Sequence, residues 1–95
     1  MIKHIVFFKL KDPSSDNIDR TVEVLRNMQG KIPQLRSLEA GRDVVRSERS
    51  YDLALVVEVD HLEDLQAYQI HPVHQEVIRY INEVKDHTLS VDFEV

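Results

Sequence analysis

The apolar positions change period several times along the chain. Residues 2–10 alternate: Ile2, His4, Val6, Phe8 and Leu10 point one way, and Lys3, Ile5, Phe7 and Lys9 the other. That period of two predicts a strand. Large apolar groups stand on both of its faces. Asp12-Pro13-Ser14-Ser15 then marks a turn and a helix start. Ile18, Val22, Leu25, Met28 (or Gln29) and Ile32 follow at helical spacing, and Gly30 offers a left-handed stop with Pro33 behind it. The spacing predicts a helix over 16–29.

Residues 36–45 read as a second strand, less hydrophobic than the first and so suited to an edge. A polar turn over 46–50 leads into the clearest strand, Tyr51 to Val59, with Tyr51, Leu53, Leu55, Val57 and Val59 on one face. Asp60 is placed to cap a helix, with Glu63 completing a capping box. Leu62, Leu65 and Tyr68 or Gln69 supply that helix with an apolar stripe. Pro72 bars helical angles at His71, so the helix ends or bends there. Pro72 also suits the first turn of a new helix, whose face would be Val73, Val77, Tyr80 or Ile81, and Val84. From 87 to 95 the chain alternates again. Leu89, Val91, Phe93 and Val95 are expected to face in, and Thr88, Ser90, Asp92 and Glu94 out.

The predicted order is β-α-β-β-α-α-β in one domain spanning 1–95. It implies an α+β fold: a four-stranded antiparallel sheet with its helices on one face. Ile5, Phe7, Ala54 and Val56 then lie on the uncovered face of two central strands. Burying a large side chain of this kind is worth roughly 1.5–3 kcal/mol. Across two chains that can offset an association cost of roughly 4–15 kcal/mol. A homodimer stacked through its open sheet faces is therefore expected; scattered surface hydrophobics are the plainer alternative.

Composition narrows the function. The chain has 95 residues, 42% hydrophobic and 31% charged, which is ordinary for a globular protein. A chain this short buries only about 60–65% of its unfolded surface, so help from a partner chain fits. It contains no cysteine, which excludes disulfides and cysteine-ligated metal centres. Residues 1–47 hold nine basic and six acidic residues, and residues 48–95 hold three and eleven. The net charge of −5 makes a poor binder of nucleic acid. Arg42, Arg46 and Arg49 could touch an anion or simply line a solvated hairpin. The longest apolar run is five residues, Leu53–Val57, so no membrane association is expected. The start Met1-Ile2-Lys3-His4-Ile5 has no secretory character, so a cytoplasmic location is expected. Two glycines, Gly30 and Gly41, make no phosphate loop, and no cofactor is expected.

Three features could carry chemistry. His4 shares the inward face of the first strand, where it could serve as a site residue or as a hydrogen-bonded core histidine. In Tyr68-Gln69-Ile70-His71-Pro72-Val73-His74, a helix starting at Pro72 puts His74 in its first turn. The helix dipole there disfavours a cation and keeps the imidazole neutral, as a general base must be. Tyr68 could donate to a developing oxyanion. From spacing alone, the plainer reading is that His74 caps or packs and Tyr68 is a core aromatic. His71, His74 and Glu76 hint at a metal, but zinc needs a clear third ligand, so none is expected.

Several segments together resemble the stress-responsive dimeric α/β-barrel (Dabb) family. They are Lys3-His4-Ile5-Val6-Phe7-Phe8-Lys9-Leu10-Lys11, Gly41-Arg42-Asp43-Val44, Tyr51-Asp52-Leu53-Ala54-Leu55, Tyr68 to His74, and Val91-Asp92-Phe93-Glu94. The resemblance covers almost the whole chain. It implies a ferredoxin-like fold that pairs through its sheets into a barrel. The family includes plant stress proteins that assemble further, and a polyketide cyclase that closes a ring by an aldol-type step without a cofactor. By match to that cyclase's motif, the resemblance places a base at His74, its tyrosine partner at Tyr68 and an assisting histidine at His4. His71, in the same motif, is the expected ligand contact.

Two functions follow as expectations. In one, a small apolar carbonyl or phenol compound enters between sheet and helices for binding or cofactor-independent proton abstraction. In the other, the protein is a non-catalytic stress or assembly protein whose histidines pack a filled interior. A regulatory domain for a protein partner has only the uneven charge in its favour.

Overall fold

Seven elements follow one another in the computed structural model, which describes residues 1–95. They are β1 (Ile2–Leu10), α1 (Ser15–Arg26), β2 (Ser37–Arg42), β3 (Leu53–Val59), α2 (Leu62–Ile70), α3 (Pro72–Val84) and β4 (Lys85–Glu94). The sheet order is β2-β3-β1-β4, and every neighbouring pair is antiparallel. β1, apolar on both faces, holds a central place, and the weaker β2 lies at an edge as its composition predicts. The result is a ferredoxin-like α+β fold with all three helices on one face. The core joins Phe8 and Leu10 of β1 and Leu53, Leu55, Val57 and Val59 of β3 to Ile18, Val22 and Leu25 of α1. Leu65 and Tyr68 of α2, Val77 and Ile81 of α3, and Met28, Ile32 and Ala40 complete it.

Local chemistry sets the boundaries. The Ser14 hydroxyl accepts from the Asn17 amide at 3.2 Å and caps α1. α1 ends at Arg26, short of the expected 29, because the backbone tightens. The Met28 and Gln29 amides donate to the Leu25 and Arg26 carbonyls at 3.2 and 3.0 Å. Gly30, at φ +81°, completes the reversal. β2 also stops early, at Arg42. The Asp43 carboxylate accepts from the Arg46 amide at 2.6 Å and folds the chain into a turn before Val44 and Val45 can pair.

Three expectations need correction. First, Tyr51 does not share the Leu53 face. The Asp52 carboxylate is drawn inward, accepting from the Leu10 amide at 2.7 Å and from the Arg46 guanidinium at 2.8 Å. The alternation slips there, and Tyr51 stands beside Phe7 with ring centroids 6.1 Å apart. Second, His61 and not Asp60 caps α2. The His61 amide donates to Asp64 at 3.1 Å, while Asp60 accepts from the Arg36 Nε at 2.8 Å. Of the two readings of the arginines, the anion contact loses support, since Arg42 is held by Asp19 and Arg46 by Asp43 and Asp52.

The third correction concerns β4. Its register sets Phe93 opposite Lys3, Val91 opposite Ile5 and Leu89 opposite Phe7, so its apolar residues share the sheet's outer face. Leu89, Val91 and Phe93 are 52%, 62% and 44% exposed. Thr88, Ser90 and Asp92 face the helices. A period of two defines two faces but not which one meets the helices; pairing with β1 decides that. Beside Phe7, itself 45% exposed, and Val56, these residues form an apolar face larger than the sequence pattern indicates.

Pro72 separates two helices. His71 adopts an extended ψ of 137°, and α3 begins at Pro72. No helix is long and apolar enough to cross a membrane.

Candidate functional site

Between the sheet and the helices lies a cavity of about 220 Å³. β1 contributes His4, Val6 and Phe8, and β3 contributes Leu55. α1 and the turn after it give Leu25 and Met28. Tyr68 and Gln69 come from α2, and His74, Val77, Ile78, Ile81 and Asn82 from α3. Lys85, Thr88 and Ser90 close the β4 side. Three of the four residues singled out from sequence, His4, Tyr68 and His74, therefore meet in one space.

The break at Pro72 brings two of them together. Tyr68 ends its turn of α2 pointing inward, and α3 restarts so that His74 falls in its first turn. Their ring centroids are 4.4 Å apart. His4 also meets Tyr68, edge-on, with centroids 6.2 Å apart. His74 Nδ1 lies 3.0 Å from the Gln69 carbonyl oxygen. A carbonyl only accepts, so Nδ1 carries the proton and Nε2 holds the lone pair. Burial lowers the His74 pKa below the usual 6.5, the Gln69 carbonyl opposes that shift, and His4 and His71 add to it. Its imidazole is neutral at pH 7.

Tyr68 has no solvent exposure, and its hydroxyl has no hydrogen-bond partner. Desolvation pushes its pKa up, so it stays a phenol and a donor. His4 is buried and its Nδ1 contacts the Asp92 carboxylate, which fixes the ring. His71 lies apart from the cavity. Its Nδ1 accepts from the Val73 amide at 3.1 Å and caps α3. No cluster of three ligating side chains exists to hold a metal.

The sequence profile of the Dabb stress-responsive A/B barrel domain matches residues 2–95. The chain belongs to the Dabb family.

Solved structures agree with the Dabb assignment. A dimeric protein of unknown function and ferredoxin-like fold from Bacteroides fragilis is 30% identical, with a TM-score of 0.85 over 99% of this chain and 95% of that one. A dimeric ferredoxin-like protein of unknown function from Thermobifida fusca is 27% identical, with a TM-score of 0.87 over 99% and 90%. A hydroxynitrile lyase from Passiflora edulis shares the fold, at 17% identity and a TM-score of 0.83 over 99% and 92%. Comparison with curated protein sequences returns no match.

Within this Dabb fold, Asp92 was not legible as a site residue because the β4 alternation assigns it outward. Register opposes it to His4, 88 positions away in sequence. The same reversal hid Thr88 and Ser90. A polar alternation of Thr88, Ser90 and Asp92 in a late strand is the one signal that could have found them.

Proposed function

We propose that this Dabb protein works as a cytoplasmic homodimer that binds a small, mainly apolar carbonyl or phenol compound in each cavity and abstracts a proton beside the carbonyl. The carrying observation is the Tyr68 hydroxyl, buried without a partner next to a neutral His74. A buried polar group left unmatched costs about 1–3 kcal/mol, and a ligand oxygen would satisfy it.

The expected step needs no cofactor. His74 Nε2 takes a proton from the carbon next to the substrate carbonyl. The released electron pair moves onto the carbonyl oxygen, where Tyr68 donates to the enolate. In an aldol closure that carbon bonds to a second carbonyl carbon, and the His74 imidazolium returns the proton to the new alkoxide. His4, held by Asp92, orients the oxygen or shares the proton. His71 stands outside this contact set and acts through the start of α3. The outer apolar face supplies the dimer contact, in keeping with the dimeric bacterial relatives.

The rival reading, a purely structural assembly protein, expects side chains to fill the space around His4 and His74; the cavity argues against it. The test is a thermal-shift screen of wild type and His74→Ala against small keto acids, phenols and fatty-acid-like molecules. Ligand at 100 times its dissociation constant should add about 2.7 kcal/mol to stability. Stabilisation of wild type that weakens in His74→Ala is expected. No shift across the panel, with His74→Ala itself less stable, overturns the proposal for the structural reading.

A further inference from the structure

The cavity's ionisable lining is one-sided. It holds His4, His74 and Tyr68, and one full cation, Lys85; no carboxylate lines it. The chain as a whole is acidic, at −5, and residues 48–95 hold eleven acidic side chains against three basic. Of the carboxylates near Lys85 in sequence, Asp86 pairs with His87 at 2.8 Å, Asp92 contacts His4, and Glu83 is exposed on α3 outside the cavity lining. No ion pair within the chain uses Lys85.

Lys85 reaches the cavity through an irregularity in the sheet. Thr88 opposes Phe8 and His87 opposes Lys9, but Lys85 opposes Leu10, so Asp86 is an extra residue between Lys9 and Leu10 of the partner strand. In an unbroken ladder Asp86 would share the inward face with Thr88 and Ser90, and Lys85 would point outward. The bulge reverses that parity. It sends the acidic Asp86 out to solvent and aims Lys85 inward beside Thr88, Ser90 and Asn82. Bulges that re-aim a side chain are over-represented beside sites.

We infer that the cavity recognises a small carboxylate, with the Lys85 ammonium and the Thr88 and Ser90 hydroxyls receiving the acid group. The ligand's apolar body lies against Phe8, Leu25, Met28, Leu55 and Ile81, and its carbonyl or phenol end reaches Tyr68 and His74. The cavity, about 220 Å³, lies below the roughly 300–1,000 Å³ typical of drug-sized ligands, so the acid is small. This inference rests on the ligand-site reading above and names the substrate class for it.

The experiment separates the two. Phenylacetate, 4-hydroxyphenylacetate and 4-oxo-4-phenylbutanoate are each paired with their primary amides. Binding is measured by NMR titration against wild type, Lys85→Gln and Lys85→Arg. An acid preference of about tenfold is expected in wild type, since a hydrogen bond to a charged group outweighs a neutral one. It should fall to less than about threefold in Lys85→Gln, with acid affinity falling more than amide affinity, and return in Lys85→Arg. Acids and amides that bind equally at the cavity overturn the inference and leave the ligand site standing. So does an acid preference that survives Lys85→Gln. Binding of neither series overturns both.

Discussion

Tyr68 and His74 sit on different helices, yet their ring centroids are 4.4 Å apart, because Pro72 ends α2 and restarts the chain at an angle that turns both rings into one cavity. The pair combines a phenol held protonated by burial with an imidazole held neutral by burial. Burial moves the phenol pKa further up and the imidazole pKa further down than they would stand on a solvated helix. The chemistry therefore depends on how the helices cover the sheet.

Tyr68→Phe removes a buried hydroxyl that has no partner. Equal or higher stability is expected, with a gain of up to about 1–3 kcal/mol. Ligand affinity should fall at the same time. Chemical denaturation and a binding titration on one sample check both. A stability loss above about 1 kcal/mol would mean that the hydroxyl is already satisfied in the free protein.

His74 should titrate below pH 6.5, because burial opposes its charged form. The sign follows from linkage. Near and below pH 6.5 the unfolded chain binds the proton more readily than the folded one, so stability rises with pH across that window. The His74 contribution is complete above 6.5 and is lost as pH falls toward its folded pKa. NMR titration of the ring proton gives the midpoint directly. His74→Gln should flatten the stability slope just below pH 6.5.

Asp92 matters through His4. Asp92→Ala leaves a buried imidazole without its acceptor and should cost about 1–3 kcal/mol. His4→Phe should lessen that cost, because the partner is then absent. A double-mutant cycle over the two positions should give a coupling above about 0.5 kcal/mol. Strict additivity would show that the contact contributes nothing.

The outer sheet face is the proposed dimer contact. Ile5, Phe7, Leu89, Val91 and Phe93 lie together on three alternate cross-strand pairs of β1 and β4. Wild type should scatter light as a dimer near 1 µM, well within the range a standard-size interface supports. Val91→Asp and Phe7→Asp should each give monomers with the fold intact by circular dichroism. Wild type that is monomeric at that concentration removes the dimer from the proposal.

Much of the fold was legible because its signals are local. A period of two marks β1, β3 and β4, and a 3.6 period marks α1 and α3. Pro72 marks a helix boundary through sterics alone. The site motif from Tyr68 to His74 is contiguous, so its residues could be singled out before any packing was known. His4 fell on the inward face of β1 because that strand's alternation is regular. His71 looked like a contact from its place in the motif, but an imidazole just before a helix also makes a cap, and here it does so.

What the sequence by itself determined is the order of the elements, the two-faced character of β1 and the boundary at Pro72. Each follows from sterics or periodicity within a few residues. Only the tertiary structure decided which face of β4 meets the helices, that Asp92 reaches His4, and that an extra residue at Asp86 turns Lys85 inward. Those depend on register between strands at opposite ends of the chain. A one-residue shift in that register exchanges every side chain between core and surface, and nothing local in β4 fixes it.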